Sequence, residues 1–421
     1  MESGLPDQNL ALACGDFRSL PHSQQGGHRE VIAREGGLRY STQMSVEPLV
    51  EMKGSITPEE MARYARHLTL PELGVDGQSR ISNAKVLCIG AGGLGSPILM
   101  YLAAAGVGEI GIIDFDRVDS SNLQRQVIHQ QSSIGELKVD SAKRAINALN
   151  PFVEVTTFAE RLTRENVISI FTRFDLIIDG ADNFSTRYLA NDAAVLLGKP
   201  YIWGSIYQFD GQLSTFWAKH GPCYRCLHPE PPLPGTVPSC SVAGVLGVLC
   251  ATIGSLQATE ALKIIAGFGE PLIGSLLSYD ARTTDFEKIT LKKNPHCPIC
   301  SQTPTHTELL DSYEDFCGEY GSINVTELLE VVASGKEFAL IDVREANEWD
   351  AGYLQGAIHL PLGDLLAGSG DAILAAAPEI IFYCRSGRRS DTALTYAKKQ
   401  GFKRSTHLAG GILAYIAETG Q

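Results

Sequence analysis

Residues 85–116, KVLCIGAGGLGSPILMYLAAAGVGEIGIIDFD, admit few folds. The spacing predicts a short buried strand over 85–89, a G-x-G-x-x-G turn at Gly90, Gly92 and Gly95, and an apolar-patterned helix over 97–105. Strand, glycine turn and helix in this order set unpaired helix N–H groups behind a backbone that glycine lets approach a phosphate closely. The next predicted strand, 109–113, ends at Asp114, about the separation at which an acid accepts hydrogen bonds from a ribose. This predicts a nucleotide site on an α/β domain. The bland alternative is a glycine turn kept only for packing a helix on a sheet.

The residues just downstream, DFDRVDSSNLQRQ, bear on which nucleotide it is. A nicotinamide site has two phosphates to cradle and nothing to cleave, so it does not need cations converging on the phosphate chain. Here Arg125 follows closely and Lys138 opens the next predicted helix, both placed to reach a triphosphate, which favours ATP. Farther on, a buried strand over 175–178 leads into Asp179-Gly180-Ala181-Asp182-Asn183, a loop where open α/β sheets place ligands. Asp182 suits Mg²⁺, a hard cation that prefers carboxylate oxygen, and equally suits the N-cap of a helix over 184–197.

GAGGLG, DFD, SNLQRQ, Lys138 and Asp182-Asn183, in this order, resemble the ThiF/MoeB family of adenylating enzymes, relatives of the ubiquitin-activating enzymes, over residues 57–300. The resemblance implies a Rossmann-like domain that binds ATP and Mg²⁺ through Gly90, Gly92, Gly93, Gly95, Asp114 and Asp116. It adds Ser121, Asn122, Leu123, Gln124, Arg125, Lys138, Asp182 and Asn183 to that set. It further implies a homodimer in which an arginine of the capped helical segment 57–70 enters the second copy's ATP site. Arg66 is the choice over Arg63, against a reading of both as solvated surface charges.

Cys223-Tyr-Arg-Cys226 and Cys297-Pro-Ile-Cys300 supply four thiolates in two knuckles, the closed set that structural Zn²⁺ prefers. A redox role is weaker, because neither pair follows a strand and opens a helix. Between them Cys240 stands on a Pro- and Gly-rich loop. Residue type alone leaves it either an activated thiol or an inert small side chain, and the resemblance implies attack on the activated carboxylate. The apolar run 242–259 is nearly long enough to cross a bilayer. It is interrupted by glycines and continues in helical register to Glu260 and Lys263, so a core or dimer-interface helix is expected, with no membrane contact.

The last hundred residues predict a smaller α/β unit. A strand over 338–343 ends in Asp342-Val-Arg344, and a second, 380–383, delivers Cys384 into CRSGRRS before a helix over 391–400. Loop N–H groups, the helix N-terminus and Arg385, Arg388 and Arg389 are expected to stabilise an anion at Cys384. A cysteine phosphatase needs C-x5-R, and that position is Ser390 here. The loop, with DVRE and residues 352–361, resembles a rhodanese, which implies a persulfide on Cys384.

The expected organisation is a disordered tail (1–55), an adenylating domain with a zinc-binding four-cysteine site (56–300), a polar linker (301–323) with a structural Cys317, and a rhodanese domain (324–421). Met44 is expected to be the natural start. A net charge of −13 without a basic stripe argues against nucleic-acid binding, and ten cysteines in pairs and single loop thiols point to a reducing, cytoplasmic setting. The two halves together resemble the molybdopterin-synthase adenylyltransferase/sulfurtransferase fusions. This implies a ubiquitin-like sulfur carrier with a C-terminal Gly-Gly, adenylated and then converted to a thiocarboxylate, with thiosulfate or a cysteine desulfurase as sulfur donor. The alternatives are an NAD-dependent oxidoreductase with an appended rhodanese module, and a non-catalytic scaffold.

Overall fold

The computed structural model describes residues 47–52, 54, 56–232, 244–317 and 321–420, and their strands form two sheets. In the first, β1 (Lys85–Ile89), β2 (Glu109–Ile113), β3 (Glu154–Phe158), β4 (Leu176–Asp179) and β5 (Tyr201–Tyr207) run parallel in the order β3-β2-β1-β4-β5. The antiparallel strands β6 (Asp210–Phe216), β7 (Ser275–Asp280) and β8 (Asp285–Thr290) extend it. Every residue of β4, and all of β1 after Lys85, is buried, which explains why these strands read as continuous apolar runs rather than alternating ones. Leu87 of β1 pairs with Gly111 on one side and Ile177 on the other. The chain therefore leaves β1 in one direction and returns on the opposite side, opening a crevice beyond the carboxyl ends of β1 and β4.

Helix Gly95–Ala105 covers β1 with Ile98, Leu99 and Leu102, and packs against helix Gly247–Ala266. The crossing is close: a Cβ on Gly254 would lie 2.5 Å from Pro97 Cγ and 2.7 Å from Leu94 O. The apolar run of the sequence thus becomes a core helix, contributing Leu249, Ile253, Ala261 and Ile264, the leucine and isoleucines each worth roughly 1.5–3 kcal/mol when fully buried. Its buried polar groups bond to the sheet and the following loop, except Gln257 Oε1, which has no partner among the described residues. Gln257 donates to Asp179 O at 2.7 Å, and Glu260 accepts from Leu272 N at 2.6 Å.

The second sheet is all parallel, in the order β11-β10-β12-β13-β9, from β9 (Ser322–Ile323), β10 (Ala339–Asp342), β11 (Ile358–His359), β12 (Ile380–Tyr383) and β13 (Ser405–Leu408). Ile341 and Phe382 pack toward helix Arg388–Lys399, and Leu340, Ile381 and Tyr383 fill the opposite face. The central strand β12 runs directly into Cys384.

Two expectations need correction. The tail does not stay free as far as residue 55: Leu49 N donates to Ile264 O at 3.0 Å and Val50 is buried in the first core. Residues 1–46, with Met44 among them, lie outside the described residues. The polar linker is docked rather than loose over 301–317. Helix Tyr313–Cys317 places the Tyr313 hydroxyl 2.8 Å from Asp192 Oδ2 and sets Phe316 edge-on to Tyr188, while the Arg225 guanidinium lies over Phe316 at 4.6 Å. Asp192 and Arg225, each 1% exposed, are joined by two 2.8 Å hydrogen bonds. Cys317 is buried in the same cluster.

Candidate functional site

At the carboxyl ends of β1 and β4 opens a cavity of about 650 Å³. Gly90 turns with φ +85°, and the chain folds back so tightly that a Cβ on Gly95 would lie 2.1 Å from Gly90 O. Gly95 therefore serves packing. Gly93 is also close to its surroundings, a Cβ there meeting Cys250 Sγ at 2.7 Å. Gly92 differs, since its nearest neighbour would be Gln126 Nε2 at 3.7 Å: the protein does not forbid a side chain there, and its bareness leaves the cavity wall accessible.

The loop is held from both sides. Asp114 accepts from Ala91 N and Asp116 N, both at 2.8 Å, and burial pushes its carboxyl above the usual range. His129 bridges Ala91 O and Ser141 Oγ, each at 2.9 Å. Burial holds this imidazole below its ordinary value, and a neutral ring with its proton on Nε2 donates to the carbonyl while Nδ1 accepts from the hydroxyl. Lys138 Nζ pairs with Asp116 Oδ2 at 2.8 Å, and Arg125 donates to Ser121 O at 3.2 Å. Both cations line the cavity, as do Gly90, Gly92, Gly93, Asp114, Asp116, Asp182 and Asn183.

Ser121, Asn122, Leu123 and Gln124 do not line it. The first two form a short 3-10 turn capped by Asp119, and Gln124 packs against Gly247, whose Cβ would lie 2.5 Å from Gln124 O. Gln126 does line the cavity, with its buried Oε1 lacking a partner among the described residues. The sequence signal for it is the last letter of SNLQRQ. Arg161 over the Phe115 ring at 3.7 Å, and Arg187, whose buried Nε has no partner among the described residues, also line the cavity and belong to none of the sequence motifs.

The choice left open at Asp182 is decided by its neighbour. Asn183 Oδ1 accepts from Thr186 N at 2.9 Å and from the Ser185 hydroxyl at 3.0 Å, so Asn183 is the helix cap and Asp182 is an exposed carboxylate on the cavity wall. Beneath it, buried Asp179 accepts from Ala181 N at 2.7 Å and from the Tyr201 hydroxyl, with burial raising its carboxyl. An acidic loop beside an orphaned amide oxygen, two cations and a bare glycine is a donor set suited to a nucleotide and a hard cation.

The four-cysteine cluster joins residues far apart in the chain. Sγ separations are 3.9 Å for Cys223–Cys226, 3.5 Å for Cys223–Cys297 and 3.4 Å for Cys226–Cys300, and all four sulfurs lie within 4.8 Å of one another. A tetrahedron of about 2.3 Å zinc–sulfur bonds has edges of about 3.8 Å, whereas a disulfide needs about 2.05 Å. The four thiols can hold a metal ion.

In the second sheet, Cys384 is 1% exposed. Its loop closes through Gly387 at φ +94° and against Gly411, whose Cβ would lie 2.3 Å from Cys384 O. Ile412 N donates to that same carbonyl at 2.8 Å. Of the three arginines expected around the sulfur, Arg389 acts on Cys384 while held by Glu348 at 2.6 and 2.7 Å, and Arg385 and Arg388 are exposed. Arg66 is exposed and does not line its own chain's cavity, while Arg63 donates to Leu149 O at 3.1 Å. Cys240 lies outside the described residues.

Residues 64–299 match the ThiF family and residues 324–418 the rhodanese-like domain. The chain is similar, at 50% identity over 388 residues, to the probable adenylyltransferase/sulfurtransferase MoeZ of Mycobacterium tuberculosis, covering 89% of this chain and 97% of that protein. It is similar at 54% over 267 residues to a sulfur carrier protein adenylyltransferase of Thermus thermophilus, covering 62% of this chain and 98% of that one. It is 40% identical over 382 residues to adenylyltransferase and sulfurtransferase MOCS3 of Culex quinquefasciatus, 85% and 87% being covered. Among solved structures, E. coli MccB with MccA-N7isoASN matches with a TM-score of 0.52 at 22% identity, over 57% of this chain and 75% of that one, a likeness of fold.

Proposed function

Because this chain belongs to the ThiF family and carries a rhodanese-like domain behind it, as an adenylyltransferase and sulfurtransferase, we propose that it converts the C-terminal Gly-Gly carboxylate of a ubiquitin-like sulfur carrier to a thiocarboxylate. The observation that carries this reading is the crevice, where Arg125, Lys138, bare Gly92 and the uncapped Asp182 share one cavity.

A carboxylate oxygen of the carrier attacks the α-phosphorus of ATP, the phosphorus–oxygen bond to pyrophosphate breaks, and an acyl-adenylate results. Arg125, Lys138 and Arg66 of a second copy offset the developing negative charge, Lys138 exchanging Asp116 for phosphate oxygen. Asp182 would hold Mg²⁺ and Asp114 the ribose. Such preorganised groups are each worth about 10²–10³ in rate. Cys384, charged as a persulfide by thiosulfate or a cysteine desulfurase, attacks the acyl carbon and AMP leaves. Cys240 forms a thioester or acyl-disulfide on the way to release: its thiolate attacks the Cys384 sulfur of the acylated persulfide, the sulfur–sulfur bond breaks and the thiocarboxylate leaves with the electron pair, and the Cys240–Cys384 disulfide that remains is reduced by an external thiol.

Zn²⁺ in the four-cysteine site would supply structure rather than chemistry, tying the 223–226 knuckle to 297–300. A homodimer is supported by exposed apolar residues on the two packed helices, Met100 and Tyr101 on one and Val248 on the other. We place the enzyme in the cytoplasm. The test is the intact mass of a Gly-Gly carrier incubated with the protein, ATP, Mg²⁺ and thiosulfate. Exchange of one oxygen for sulfur, with AMP formed, is expected. An unchanged carrier with no AMP sinks the proposal.

A further inference from the structure

Cys384 must lose its thiol proton before it can take up sulfur, yet the residue is 1% exposed and water has little access to it. Arg389, whose charge acts on Cys384, is occupied by Glu348, and Arg385 and Arg388 are exposed. One file of polar groups leads outward. Ser390 Oγ, on a residue with no exposed surface, lies 3.6 Å from Cys384 Sγ. His407 Nδ1, on β13, lies 3.2 Å from Ser390 Oγ. His407 Nε2 faces Asp391 Oδ1 at 3.8 Å, and the Asp391 side chain is 41% exposed.

We propose that Ser390 and His407 form the proton exit of Cys384, Ser390 touching the reacting sulfur and His407 positioning the hydroxyl and passing its proton toward Asp391 and solvent. The inference rests on sulfur transfer at Cys384.

The step balances without an external oxidant or reductant. As Cys384 attacks the outer sulfur of thiosulfate, a bond forms from Sγ to that sulfur, the sulfur–sulfur bond to sulfite breaks, and sulfite leaves with the electron pair. The Cys384 proton passes to Ser390 Oγ, the Ser390 proton to His407 Nδ1, and the proton on His407 Nε2 to Asp391 and water. The imidazole is neutral before and after, having only changed tautomer, which suits a ring that burial pushes down to about 4. At rest the Ser390 hydroxyl has three acceptors in reach, Gly387 O at 2.9 Å, His407 Nδ1 at 3.2 Å and Cys384 Sγ at 3.6 Å, and the alignment on His407, which leaves Ser390 Oγ free to accept from the thiol, primes the relay. Afterwards Ser390 donates to the sulfur anion and His407 Nδ1–H donates to Ser390, so the same groups stabilise the persulfide.

The experiment follows iodoacetamide labelling of Cys384 against pH in the full-length protein, read on the Cys384 peptide by mass so that other thiols do not contribute. Ser390→Ala and His407→Phe are expected to raise the labelling midpoint by about one pH unit. They are also expected to slow thiosulfate-dependent persulfide formation about tenfold or more at neutral pH. Ser390→Thr, which keeps the hydroxyl, should restore both, and ATP–pyrophosphate exchange should be unaffected throughout. A packing role alone would lower the melting temperature and leave the midpoint in place, and an unmoved midpoint in either variant overturns the proposal. Should neither variant fold, Asp391→Asn at the exposed end takes their place with the same expected direction and the same overturning result. Sulfur uptake by the unsubstituted protein is measured alongside: its absence would refute transfer from thiosulfate while leaving the midpoint to judge the relay.

Discussion

The crevice and the cysteine loop both stand at the carboxyl end of a parallel strand that turns into a helix, and their glycines work in opposite directions. Gly92 keeps a wall bare, the nearest atom among the described residues beyond its chain neighbours being Gln126 Nε2, 3.7 Å from where a Cβ would be. Gly411 draws the chain in until only a hydrogen fits, 2.3 Å separating its would-be Cβ from Cys384 O. One geometry makes room for a long polyanion, and the other wraps a single sulfur. The charged groups follow the same division, since Arg125, Lys138 and Asp182 line an open cavity while Arg389 and Glu348 neutralise each other beside a closed one.

The sharpest way to break this comparison is to disable each region and watch the other. Cys384→Ala should end thiosulfate-to-thiol sulfur transfer and leave carrier-dependent ATP–pyrophosphate exchange intact. Arg125→Ala should lower exchange about 10²–10³-fold and spare sulfur transfer, as paired assays would reveal. Next in size is the support under the crevice. Asp192→Ala strands the Arg225 guanidinium in a site 1% exposed, beside two metal-ligand candidates, and should cost about 3–5 kcal/mol by urea denaturation. The glycines come third. Gly411→Ala, at φ +60° and against backbone, should cost about 1–3 kcal/mol, whereas Gly92→Ala should leave the melting temperature alone and weaken ATP binding in calorimetry. The smallest effect belongs to the Glu348–Arg389 pair, where Glu348→Gln should cost about 1 kcal/mol or less at neutral pH. Arg389 holds the Glu348 carboxyl down to about 2, against about 4.3 in an unfolded chain. Its contribution is therefore full above the unfolded value and fades as pH falls toward 2, where variant and parent stabilities should converge.

Much of the first region is legible in the sequence because its signals are local. Residues 85–116 carry their strand, turn and helix within one βαβ unit, and the two cysteine knuckles announce a four-sulfur cluster by spacing alone. What escapes a sequence reading depends on contacts across the fold. Asp182 and Asn183 are equally good caps in a sequence, and only the path of the chain into helix Phe184–Leu196 gives the cap to Asn183. The segment 301–317 reads as polar and free, because Tyr313 finds Asp192 only after 121 residues are folded back. Counting charge alone gives Arg389 to the sulfur and misses that it is shared with Glu348, a partner 41 residues upstream.

The docking of Tyr313–Cys317 sets a leash on the sulfur-bearing unit. Between buried Cys317 and the first residue of β9, Ser322, there are five Cα steps, and a trans chain can span no more than about 18 Å over them. The anchor point is fixed on the first sheet's flank, so the second unit cannot drift away. A group carried on so short a tether is kept near its target by covalent connection, whatever the protein's concentration. Encounter between the two chemistries is then a matter of covalent geometry rather than of diffusion through the cell.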